Sequence, residues 1–161
     1  MSRKCSSSHH LESRVSTFQS VAQGLPLPPE PILTRWGTWL SAAVYYSENF
    51  DDIERVLNQQ DPCEAATIRK SQEILTDSSL SVQLAHISDN YGRLPIFIEQ
   101  LECTSQQLAS TLRILEEARA WVNNASGLRA ALVKSKFEYV MEHNRGLETM
   151  MQINRVLQTK H

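Results

Sequence analysis

Proline and glycine are scarce in this 161-residue chain, at six and five residues. Four of the prolines, Pro26, Pro28, Pro29 and Pro31, fall within one six-residue stretch. The remainder is nearly free of residues that break helices, as an all-α fold requires. Cysteine is scarcer still. Cys5, Cys63 and Cys103 lie 58 and 40 residues apart with no CxxC pair, which argues against a disulfide framework or a cysteine-rich zinc site and implies a reducing compartment. No apolar run approaches the roughly 20 residues needed to cross a bilayer. The first ten residues, MSRKCSSSHH, lack the apolar segment of a secretory signal. No stretch alternates with period two for long enough to make a strand. HExxH, GxSxG, Walker and GxGxxG motifs are all absent.

What is present is an ordinary globular composition, 41% hydrophobic and 21% charged, in a chain long enough for one core. Residues 1–12 read as a disordered tail and 13–160 as a single helical domain. Within it, the prolines of 24–34 push each preceding residue into extended conformation and make a connector. Beyond the connector, apolar residues recur at steps of three and four. Trp36, Leu40 and Ala43 share one face with Trp39, Tyr46 and Phe50 beside it, so this helix is expected at the centre, packed around its indoles. Asp61-Pro62, Ser78 or Ser79, and Thr104 to Gln107 read as helix starts. The pattern predicts an all-α, irregular bundle of about seven or eight helices.

The net charge of −2 conceals an asymmetry. Glu48 to Asp77 holds eight acids and three bases, whereas Arg129 to His161 holds six bases and three acids. The basic end, with Arg129, Lys134, Lys136 and Arg145, could meet phosphates, because neutralised phosphates release counterions. The plainer reading, and the favoured one, is a solvated helix face.

Catalytic candidates are few. A nucleophilic triad needs a base held by an orienting acid, and His86, between Leu84 and Ile87, is the one histidine with a semi-buried setting. Alone, it reads as structural. Asp51-Asp52 is the densest acidic pair, and its place at a helix start is explained by the helix dipole. No cofactor, metal or catalytic residue is therefore expected. The most unusual constellation is TRWGTWL, Thr34 to Leu40. Its arginine and tryptophans could stack an unpaired base, although large aromatics mostly serve packing.

The string from Leu25 to Leu57, LPLPPEPILTRWGTWLSAAVYYSENFDDIERVL, resembles a segment of hAT-superfamily transposase-like proteins, in particular the arthropod group related to CGG-triplet-repeat-binding proteins. Ser13 to Gln19 and the downstream IRKSQEIL and LAHISDNYGRLPIFIEQLE are similar too. In that family a proline-rich lead-in and TRWGTWL precede a helical region inserted into an RNase-H-like catalytic domain. The resemblance implies an arginine and a base-stacking tryptophan near an active site, roles that fall here on Arg35 and Trp36. It also implies that the metal-binding aspartates and the BED-type zinc finger lie outside this chain. The expectation is a non-catalytic, transposase-derived helical domain acting on DNA or on a protein partner, with no membrane association and with the nucleus favoured over the cytoplasm. The alternative is a structural or protein-interaction bundle with no nucleic-acid role.

Overall fold

The structure, a computed structural model, describes residues 5–32 and 35–159; the side chains of residues 5–11 and of Trp36 lie outside the described part. Among the described residues there are nine α-helices and no strand. They are α1 (Cys5–Val21), α2 (Trp36–Glu48), α3 (Phe50–Asn58), α4 (Ala66–Leu75) and α5 (Leu80–Tyr91). After a turn at Gly92 come α6 (Leu94–Glu102), α7 (Leu108–Asn124), α8 (Ala130–Glu142) and α9 (Arg145–Gln158).

The all-α expectation holds, and the helix start expected at Asp51-Asp52 is there, after a break at Asn49. Phe50 does not continue the α2 face. Instead the Asn49 backbone N–H and its side-chain amide both donate to the Tyr45 carbonyl, closing α2, and α3 opens with Asp51 and Asp52 in its first turn. α1 reaches back to Cys5, so residues 5–12 are helical where composition pointed to a tail. No proline or glycine occurs before Gly24 to interrupt it. Residues 25–32 carry neither helix nor strand, and Leu33 and Thr34 of the connector lie outside the described residues.

α2 is central, but for a different reason from the one expected. It packs against α5 and α6, it carries buried Ala42 and Ala43, and Gly37 brings its backbone close to Ile98 of α6. Small side chains allow the close approach. Trp39 is 45% exposed, so the helices do not pack around paired indoles. Of the two described indoles, that of Trp121 joins a core. It covers the cluster of Phe97, Ile114 and Ala118 between α6 and α7, under the guanidinium of Arg93, which lies 5.0 Å from the indole. A second core forms from Phe18, Ala22, Ile53 and Val56, where α1 meets α3. α7 is the spine of the C-terminal half, touching α5, α6, α8 and α9.

Of three expected helix starts, Ser79 stands at the N-cap of α5 and the other two lie before their helices, and none caps with its side chain. Asp61 accepts the Cys63 backbone N–H in a turn, and α4 begins only at Ala66, after an extended Ala65. Ser79 precedes α5, yet its own N–H and hydroxyl are both taken by Asp77. Thr104 lies in a turn, and Gln107 precedes α7 without a side-chain cap. At Asp61 and at Asp77-Ser79 the side chain satisfies a nearby turn instead of the helix, a competition those residues commonly offer.

Candidate functional site

Arg35 occupies the extended residue before α2 (φ −125°, ψ 97°) and is exposed. It lines a groove of about 440 Å³ with Thr38, Ser41 and Ile98, whose other wall carries Glu99 and Glu102 of α6. Two carboxylates against one guanidinium do not make an electropositive site for phosphate. The indole expected to stack a base, that of Trp36, lies outside the described residues.

The C-terminal bases divide between two sides of α8. At about 100° per residue, Lys134 and Lys136 are roughly 200° apart. Lys134 is half-buried and shares the bundle-facing side with buried Ala130 and with Met141. On helical spacing Arg129, at the N-cap, and Lys136 share the outer side with Leu132, Tyr139 and the C-cap His143, and Leu128 precedes them in the turn before α8. Leu128 is 97% exposed and Leu132 63% exposed. On this side the Lys136 ammonium lies 5.1 Å from the Tyr139 ring centroid. The His143 ring stacks on the other aromatic at 4.0 Å, its Nδ1–H donating to the Tyr139 carbonyl at 2.8 Å.

No carboxylate shares this outer stripe. Glu138 turns toward α7, where its two oxygens accept from Nε and Nη2 of Arg119 at 2.9 and 2.5 Å. These hydrogen bonds, with a further one from Asn123, hold the Glu138 carboxyl below its usual range. Arg145 is the first residue of α9, after an Asn144 cap whose Oδ1 accepts the Leu147 N–H. A cation there faces the positive end of the helix dipole. The six nominated residues thus do not form one patch: Arg35 belongs with α6, and only Arg129 and Lys136 share a helix face.

Beside that face runs a groove of about 330 Å³ between α7, α8 and α9. Its floor is Leu112, Leu115, Met141, Leu147 and Met151, and its rim carries Glu116, Glu142 and Glu148. Arg155 is the rim base left over, since Arg119 is engaged by Glu138. Helical spacing alone does not show that these apolar stripes leave a groove between them. The signal that could have revealed a groove is the pairing of a leucine stripe on one helix with methionines on two others, side chains suited to adaptable surfaces.

A third cleft, of about 440 Å³, opens between Phe18, Tyr46, Phe50, Leu80 and Leu84. Among its lining residues only Tyr46 and Ser71 carry polar side-chain atoms, too few to orient a polar ligand. Burial raises the Tyr46 phenol above its ordinary pKa.

The remaining candidates are structural. His86 is half-buried, with Asn90 donating to its carbonyl at 2.8 Å and lying 3.2 Å from its Nδ1. Asn90 in turn accepts the Ser126 N–H at 2.7 Å, so the pair ties α5 to the loop before α8. Asp52 pairs with Arg55 one turn on. Among the described residues no three His, Cys, Asp or Glu side chains converge as metal ligands, and no helix is long and apolar enough to cross a membrane. No protein-family model, curated protein or solved structure matches the chain.

Proposed function

We propose that this chain is a non-catalytic helical module, of hAT-transposase descent, that works by docking onto another polypeptide through the outer face of α8. The observation that carries this reading is the exposure of Leu128 and Leu132 on a carboxylate-free stripe beside Arg129 and Lys136. A run of large apolar side chains left in water marks an interaction surface, and proteins bury leucine where phosphate backbones do not. The descent rests on the TRWGTWL resemblance, and a nuclear location follows from it. The proline-rich 24–34 stretch serves as a docked connector, supported by the Tyr45 hydroxyl donating to the Pro26 carbonyl at 2.5 Å and by Pro28 lining the apolar cleft.

A nucleic-acid role is the second reading, and one observation favours it. Lys136 and His143 flank Tyr139, a cation–aromatic set able to receive a base and its phosphate. A photo-crosslinking amino acid placed at position 132 in cells separates the two. Protein adducts from position 132, and none from the same probe at exposed Lys70, are expected. Nucleic-acid adducts in their place would transfer the site to the second reading.

A further inference from the structure

The outer face of α8 and the groove beside it are complementary in both shape and charge. The face is convex, apolar and basic, with Leu128, Leu132 and Tyr139 between Arg129 and Lys136. The groove is concave and apolar, with Glu116, Glu142 and Glu148 outnumbering Arg155 on its rim. The two lie side by side because the end of α8 belongs to both: Tyr139 and His143 stand on the face, whereas Met141 and Glu142 line the groove. A surface carrying both halves of a matched pair is self-complementary, and a two-fold axis lets each copy satisfy the other.

We propose that the occupant of the groove is a second copy of this chain, in a closed two-fold dimer in which each α8 outer face fills the partner's α7–α8–α9 groove. This inference rests on the docking reading above and gives it a partner. Leu132 and Tyr139 enter between Leu112, Leu115 and Met151, removing from water the apolar side chains that the single chain exposes. Arg129 and Lys136 come to the glutamate rim, where opposite charges fix the register and suppress other pairings. The geometry also explains why Glu138 is withheld from the face. Its ion pair with Arg119 keeps a carboxylate off a surface that must meet glutamates.

The test is sedimentation equilibrium of the full chain and of five variants, with far-UV circular dichroism as the folding control. The wild-type chain is expected to reach twice its 18.3 kDa mass at micromolar concentration. Leu132→Asp on the face and Met151→Asp in the groove should each raise the dissociation constant roughly tenfold or more, as loss of an interface anchor does. The decisive arm uses only exposed charges, with circular dichroism checking that each variant folds. A copy with Arg129→Glu and Lys136→Glu and a copy with Glu142→Lys and Glu148→Lys should each be monomeric alone and pair with one another when mixed. A monomeric wild-type chain overturns the proposal, as does a dimer indifferent to both charge reversals. Dissociation by Val156→Asp but not by Leu132→Asp would place the interface on the exposed side of α9 and overturn it too. A monomeric chain that still cross-links another protein in cells from position 132 would sink the dimer and leave the docking reading standing. Absence of any protein adduct from that position would sink both.

Discussion

Arg119 of α7 and Glu138 of α8 meet through two parallel hydrogen bonds, at 2.9 and 2.5 Å, nineteen positions apart in the chain. Asn123 adds a third at 3.2 Å. This fork is the polar tie between the two helices, and its strength depends on pH in one direction. The Glu138 carboxyl is held below its usual pKa, first by the Arg119 hydrogen bonds. The stabilisation is therefore complete above the unfolded glutamate pKa and is lost as pH falls through the lower folded value. Carboxylate carbon shifts of Glu138, followed by NMR from pH 7 downward, should titrate below those of exposed glutamates. Arg119→Ala should move that midpoint up, and an unchanged midpoint would mean the fork is open in solution.

Gly127 presents a second position with a definite expectation. Its φ of +96° is a conformation L side chains rarely adopt, and a Cβ there would stand 2.4 Å from Cε1 of His86. Two separate costs follow from Gly127→Ala, one of backbone strain and one of collision. Together they should destabilise the chain by about 2 kcal/mol. In a His86→Ala background only the strain, about 1 kcal/mol, should remain. Urea unfolding of the four proteins closes the cycle, and additive costs would show that the imidazole yields without resistance.

How far the fold could be read from sequence is shown by α8. Leu132, Val133, Phe137, Val140 and Met141 are all apolar, but at about 100° per residue Leu132 and Met141 stand on opposite sides. Helical spacing shows that a helix is there; it does not decide which of two apolar sides is covered, because coverage is set by α7 and α9. The same limit applied to α2. Its aromatic residues outweighed its alanines in the pattern, yet closeness to α5 and α6 required small side chains. Helix existence was legible almost throughout, and the start at Ser79 holds, while α4 and α7 begin several residues after Asp61 and Thr104. For the site, charge asymmetry directed attention to the C-terminal helices. It could not separate Lys134 from Lys136, which only the register on α8 does.

Any contact with DNA through this surface has a bounded salt dependence. Arg129, Lys136 and Arg145 are the exposed permanent cations among the C-terminal residues nominated for phosphate contact. Each neutralised phosphate contributes about 0.9 to the slope of log affinity against log salt, so the slope should be no steeper than about −3. Arg35→Ala should leave it unchanged, because Glu99 and Glu102 share that groove. Fluorescence anisotropy with a short duplex across a salt series measures both quantities. A steeper slope that shallows in Arg35→Ala would restore the connector arginine to a nucleic-acid site.

The described tryptophans should respond in opposite ways. Trp39 is 45% exposed, so Trp39→Ala should change stability by no more than about 0.5 kcal/mol. Trp121 lies over Phe97, Ile114 and Ala118, and Trp121→Ala should cost about 3 kcal/mol by opening that cluster. Its indole Nε1 is buried without a hydrogen-bond partner among the described residues. Trp121→Phe therefore forfeits no hydrogen bond and should cost only about 1 kcal/mol, the price of lost volume and of a weaker platform for Arg93. Denaturant midpoints rank the three variants. A Trp39→Ala loss as large as that of Trp121→Ala would return the TRWGTWL indole to the core and place α2 deeper in the bundle than its exposure allows.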